Sequence, residues 1–211
     1  MHYICNCKKI NLFNKSYTYW EDRVVTTDEL DIINFLFNQK KIIYKSILHI
    51  GIGNSYFASK FSKTSKITGI SISQKEIEKA QLLNLPNYNF FLLDKYSIEF
   101  KNFLKKNKFD LVIDTNLKSY TCCQESFEFM IHNIFQSINL NGMLITSING
   151  MNWFKKLKPK LSFSFSKLFF FKLKEINGNK DNILLLKELE LLSQKDNLNM
   201  SFDEKLCYLK K

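Results

Sequence analysis

Ser46-Ile47-Leu48-His49-Ile50-Gly51-Ile52-Gly53-Asn54-Ser55-Tyr56-Phe57-Ala58 is the stretch on which the fold turns. The residues up to Ile50 read as a short buried strand, Gly51 and Gly53 as a turn the backbone can cross closely, and Asn54 or Ser55 as the cap of a helix. A strand, a glycine turn and a helix in that order put backbone N–H groups at the C-terminal end of a strand. Open α/β sheets bind nucleotide-like ligands there. The turn alone is a weak signal, because Gly-x-Gly joins strand to helix in many domains that hold no ligand. Tyr56 stands where the dinucleotide fingerprint needs its third glycine, which counts against NAD or FAD.

Working outward, Thr26-x-x-Glu29 is a capping box followed by Leu30, Ile33 and Phe37 at helical spacing, which predicts a helix over about 27–38. Downstream of a helix at about 55–62, Lys66 to Ile72 reads as a second strand. Ser73-x-x-Glu76 is a further capping box, and its helix buries Ile77, Ala80 and Leu83. Asn89 to Asp94 predicts a third strand ending in a carboxylate, a lysine-rich helix follows at about 98–106, and Phe109 to Asp114 is a fourth strand. Phe127, Met130, Ile131, Ile134, Phe135 and Ile138 then form one helical stripe. Asn141-Gly142 ends that helix, and Met143 to Ile148 is a fifth strand.

Strands alternating with helices on short loops imply parallel pairing through right-handed crossovers, hence a doubly wound α/β sheet. The rhythm changes near the C-terminus, where Leu168 to Lys174 and Asn182 to Lys187 face each other across the turn-rich segment 177–181 and predict a closing antiparallel hairpin. The organisation expected is an N-terminal segment and helix over 1–40, the sheet domain over 41–192, and a tail over 193–211 that is helical or loose.

The chain has 211 residues, enough for one full core, and a formal charge of +11. Its basic residues are all lysine except Arg23, amid many Asn, Ile and Phe and only 6 Gly and 2 Pro. A phosphate-binding surface would use arginine for bidentate contacts, so the charge reads as compositional background. The 5 cysteines are odd in number and irregularly spaced, and no paired motif completes a zinc site. They read as free thiols in a reducing compartment. No apolar run approaches a membrane span and no signal peptide opens the chain, so a soluble, cytoplasmic protein is expected.

The five strand-helix units, the Gly-x-Gly turn after the first strand, the carboxylate after the third, Phe109-Asp110-Leu111-Val112-Ile113-Asp114, the Asn141-Gly142 lead into the fifth strand and the closing hairpin together resemble class I S-adenosylmethionine-dependent methyltransferases. The resemblance covers about residues 44–188. It implies a mostly parallel seven-stranded sheet of order 3-2-1-4-5-7-6, S-adenosyl-L-methionine as cofactor, and Gly51 and Gly53 under its methionine part. Two departures stand out. Family members usually carry an acid where this chain has His49, and another acid, gripping the ribose, where it has Ser71. Gly69-Ile70-Ser71-Ile72-Ser73-Gln74-Lys75-Glu76 looks like the variant of cyclopropane-fatty-acid synthases and their methyltransferase relatives, in which a polar residue at the place of Glu76 helps hold the ribose.

The resemblance thus implies cofactor contacts from His49, Gly51, Gly53, Asn54, Ser71, Ile72, Glu76, Asp94, Lys95 and Thr115. Asp114 is the candidate general base, and Tyr19, Trp20, Asn116 and Tyr120 are candidate acceptor contacts. Each has a plain structural alternative. Glu76 completes a capping box, His49 is a strand-end histidine, Asp94 caps a helix, Asp114 closes a turn, and Tyr17, Tyr19 and Trp20 pack together rather than form a lid. No Asn-Pro-Pro-Tyr-type motif follows the fourth strand; Asp114-Thr115-Asn116-Leu117 occupies its place. A small-molecule, sugar or lipid-linked acceptor is expected ahead of nucleic acid. The other readings are an inactive methyltransferase-like scaffold and an RNA methyltransferase.

Overall fold

The computed structural model describes residues 23–39, 43–151 and 180–211. Their elements run α1 (Thr27–Asn38), β1 (Ser46–Ile50), α2 (Tyr56–Phe61), β2 (Lys66–Ser71), α3 (Gln74–Leu82), β3 (Tyr88–Leu92), α4 (Ile98–Lys106), β4 (Phe109–Asp114), α5 (Gln124–Ser137), β5 (Ile138–Ser147), α6 (Lys180–Lys195), β6 (Asn199–Phe202) and β7 (Leu206–Lys210). The strands form a seven-stranded sheet of order β3-β2-β1-β4-β5-β7-β6. Strands β1 to β5 pair in parallel, and β7 lies antiparallel to both β5 and β6.

Alternation along β1 divides the interior into two layers. Leu48 and Ile50 pack with Phe100 and Leu104 of α4, the α5 stripe, and Leu185, Leu186 and Leu189 of α6. Ile47 faces the other way, onto Ile32, Ile33 and Leu36 of α1, Phe57 of α2 and Ala80 of α3. Phe127, Met130, Ile131, Ile134 and Phe135 are all fully buried, as their spacing requires. Each contributes about 1.5–3 kcal/mol relative to an exposed side chain. With β2 on one side of β1 and β4 on the other, the chain reverses its winding at β1. A crevice opens at such a point, past the carboxyl ends of the strands.

Three expectations are corrected. Asn182 to Lys187 lies within α6 and is not a strand. Its apolar run of four is too short to tell strand from helix. The continuation decides it, because Leu185, Leu186, Leu189 and Ser193 are buried at helical spacing. The partner strand expected at 168–174 lies outside the described residues. The hairpin is instead built from β6 and β7, in the segment expected to be a tail. Leu206 to Leu209 are buried there, and Asp203 sets the turn by accepting from the N–H groups of Lys205 and Leu206, both at 2.8 Å. Finally, β5 starts at Ile138, directly after α5, and Asn141 lies inside it at φ 65°. Among the described residues no helix is long and apolar enough to cross a membrane.

Candidate functional site

A cleft of about 1010 Å³, open mouth included, lies over the ends of β1, β2 and β4. Its floor is the turn after β1. Gly51 has φ 79° and Gly53 φ 50°, in the left-handed region where a side chain is strained. A Cβ placed on Gly51 would meet nothing within 4 Å, so the turn presents open space to the cleft. The Gly51 N–H donates to Ile70 O at 2.9 Å and ties the turn to β2.

Of the two residues expected to cap the helix beyond the turn, Ser55 holds the cap position of α2, at φ 58°, but its hydroxyl makes no cap hydrogen bond. That hydroxyl instead meets the Tyr88 hydroxyl at 3.0 Å. The Phe57 N–H donates to Glu29 Oε1 at 3.0 Å, from a residue 28 positions earlier in the chain. Glu29 therefore leaves its own capping box half made. Thr26 Oγ1 accepts from the Glu29 N–H at 3.1 Å, while the Glu29 carboxylate turns into the cleft wall. Burial pushes that carboxyl up to about 7, against the pull of the Phe57 hydrogen bond.

The β2 side of the cleft holds Ser71, Ile72 and Glu76. Ser71 Oγ donates to Glu76 Oε2 at 2.6 Å and accepts from the Ser73 N–H at 2.9 Å. Ser73 Oγ accepts from the Glu76 N–H at 3.4 Å. A carboxylate thus reaches the end of β2 from the first turn of α3, although the strand itself ends in serine. Leu93 and Asp94 form the next part of the wall, and Asp94 Oδ1 accepts from the Tyr96 N–H at 2.9 Å.

Asp114 and Lys95 join the ends of β4 and β3. Lys95 Nζ donates to Asp114 Oδ2 at 2.7 Å, to Asn116 O at 2.9 Å and to Leu117 O at 3.0 Å, which uses all three ammonium protons. The second carboxylate oxygen of Asp114 accepts from the Asn116 N–H at 3.1 Å. Burial raises the Asp114 carboxyl above its ordinary range, and the Lys95 charge opposes that rise. Thr115, Asn116, Ser119 and Tyr120 complete this side of the cleft.

Two expected contacts do not line the cleft. His49 points from β1 into the opposite layer, its ring 5.1 Å from that of Phe57. It is buried, its Nδ1 has no hydrogen-bond partner among the described residues, and burial lowers its proton affinity to about 4. The histidine is neutral and belongs to the core. Asn54 is a brace: its Nδ2 donates to Arg23 O at 2.5 Å and its Oδ1 accepts from Lys79 Nζ at 2.6 Å. Tyr19 and Trp20 lie outside the described residues. Asp28, Glu29 and Tyr96 line the cleft although none of them is among the contacts expected from the sequence. Only the capping box marked Glu29, and it marked a different role.

No protein-family model matches the sequence. No curated protein matches it either. Solved structures do match the fold. The N-methyltransferase NodS of Bradyrhizobium japonicum WM9, in complex with S-adenosyl-L-homocysteine, aligns over 92% of this chain and 96% of its own at 15% identity and TM-score 0.55. Magnesium protoporphyrin IX methyltransferase ChlM of Synechocystis PCC 6803, with bound S-adenosylmethionine, aligns over 94% and 93% at 14% identity and TM-score 0.56. A putative caffeoyl-CoA O-methyltransferase of Staphylococcus aureus aligns over 94% and 93% at 15% identity and TM-score 0.54. The chain has the Rossmann-like fold of class I S-adenosylmethionine-dependent methyltransferases.

Proposed function

We propose that this protein binds S-adenosyl-L-methionine in the cleft and methylates a small-molecule, sugar or lipid-linked acceptor in the cytoplasm. One observation carries the reading: Gly51 lies open at the floor of a cleft at the sheet's switch point, beside Gly53 and with polar groups on both sides. An inactive scaffold would have the turn collapsed or filled by side chains.

The donor set fits an adenosyl amino acid. Glu76 is held by Ser71 with its carboxylate over the end of β2, and it serves as the acceptor for the ribose hydroxyls in place of a strand-end acid. Ile72 and Leu93 supply apolar surface for the base, and Asp94 takes its amino group. Gly51 and Gly53 leave room for the amino-acid part. S-adenosylmethionine brings a sulfonium-bound methyl group and its own leaving group. The chain's task is then to orient the acceptor and exclude water, which needs few reactive side chains.

Asp114 fits a positioning role better than that of a free base, because both of its oxygens are engaged and Lys95 neutralises it. The pair fixes the Thr115–Asn116 backbone, and Thr115, Asn116 and Tyr120 offer the polar atoms that face an acceptor. Hydrogen exchange with and without S-adenosylhomocysteine tests the placement. Protection is expected at residues 50–55, 71–76 and 93–96; protection confined to other segments would overturn it.

A further inference from the structure

Glu29 is a buried carboxylate of the cleft that enters no ion pair among the described residues. Asp114 has Lys95, and elsewhere Asp31 has Lys205 and Glu188 has Lys118. Glu29 is only 5% exposed, and among the described residues its carboxylate has one partner, the Phe57 N–H. Asp28 lies beside it on the same wall and accepts from Ser147 Oγ at 2.5 Å. Among the described residues, this wall of the cleft therefore carries two acids and no cation. Across the cleft, the charge of Lys95 is spent on Asp114.

A buried carboxylate without a counter-ion is costly, and a cation brought by a ligand offsets that cost. We propose that Glu29 is the counter-ion for the α-ammonium group of the cofactor, supplying from α1 the carboxylate that β1 lacks because His49 occupies its place. The inference rests on the cofactor reading above and adds a residue that the strand pattern does not contain. Glu29 is a binding residue in this account, with no part in moving a proton of the acceptor.

Binding is then coupled to protons. The titratable groups around Glu29 are Asp28 on its own helix, His49 reaching Phe57 from β1, Tyr88 of β3, whose hydroxyl is raised mainly by burial and further by the charges of Glu29 and Glu76, and the more distant Lys95–Asp114 pair. His49 has already lost its proton well below neutral pH. Glu29 holds its proton up to about pH 7, so an ammonium group arriving at pH 6 expels it.

Calorimetric titration of the full chain with S-adenosylhomocysteine, in buffers of different ionisation enthalpy at pH 6, counts that proton. The control probe is 5′-methylthioadenosine, a nucleoside without the amino-acid end. The expected result is release of roughly one proton with the first ligand and none with the second. Glu29→Gln should abolish the release and weaken S-adenosylhomocysteine about tenfold or more at pH 8, leaving methylthioadenosine unchanged. Equal proton counts for the two ligands on the wild-type protein would overturn the proposal without recourse to any variant. So would an equal loss of both affinities in Glu29→Gln. Failure of S-adenosylhomocysteine to bind the wild-type protein would overturn the cofactor reading and this assignment together.

Discussion

Glu29 on α1 and Phe57 on α2 are joined by a 3.0 Å hydrogen bond from the Phe57 N–H to the Glu29 carboxylate, and the ring of the same Phe57 lies 5.1 Å from that of His49. Two buried titratable groups therefore meet at one residue, and they respond to pH in opposite directions.

Glu29 is raised to about 7 and His49 is lowered to about 4. Between about pH 4.5 and 7 the folded protein holds the Glu29 proton that the unfolded chain has lost, so this group's contribution to stability falls as pH rises. Between about pH 4 and 6.5 the unfolded chain binds a proton that His49 refuses, so the contribution of His49 grows as pH rises. Each amounts to at most roughly 3 kcal/mol, and the two nearly cancel near pH 5.5. Urea unfolding should show a flat pH dependence from 4.5 to 6.5 in the wild-type protein. Glu29→Gln should show stability rising with pH over that window, and His49→Phe should show it falling.

Lys95 and Asp114 form a buried pair whose remaining polar atoms are also satisfied. Lys95→Met strands the Asp114 carboxylate and should cost about 3–5 kcal/mol by denaturant unfolding. The double variant Lys95→Met, Asp114→Leu should be more stable than that single variant. A double variant as unstable as the single one would show that the loss comes from the two carbonyls, Asn116 O and Leu117 O.

Gly150 packs against the acceptor side of the cleft. A Cβ there would lie 2.4 Å from Thr115 O and 3.3 Å from Asn116 Oδ1. Backbone must move to admit it, so Gly150→Ala should lower stability by about 1–3 kcal/mol. Thermal unfolding measures the loss, and the variant should weaken acceptor binding more than cofactor binding.

Ser71 and Glu76 act as a unit, with the serine donating to the acid at 2.6 Å. Glu76→Ala should weaken S-adenosylhomocysteine by about tenfold or more, as loss of a charged hydrogen-bond acceptor does. Ser71→Ala should cost less, because Glu76 remains present though less firmly aimed. Equal effects in calorimetry would instead make Ser71 a direct contact.

The parallel half of the sheet was legible because its signals agree at each level. Gly51 and Gly53 follow an apolar strand, capping boxes open α1 and α3, and the α5 stripe runs unbroken to Phe135. The C-terminal hairpin was misplaced because Ile183 to Leu186 suits strand or helix equally, while Leu206 to Leu209 sit in a lysine-rich tail that hides them. The resemblance implies a cofactor contact from His49, whose plain alternative is a strand-end histidine of the core. Strand alternation sends it to the face of Ile47, away from the cleft over Ile50. Glu29 was concealed for a different reason. Thr26-x-x-Glu29 has the pattern of a local cap, and nothing in the sequence shows that its carboxylate is drawn to a helix 28 residues away.

The central claim is that the cleft over Gly51 and Gly53 holds S-adenosylmethionine, and calorimetric titration with S-adenosylmethionine and S-adenosylhomocysteine tests it most directly. Saturable binding of both ligands is predicted, lost in a folded Gly53→Arg variant whose side chain fills the turn. Absence of binding up to millimolar ligand, or binding unchanged by Gly53→Arg, would contradict the account.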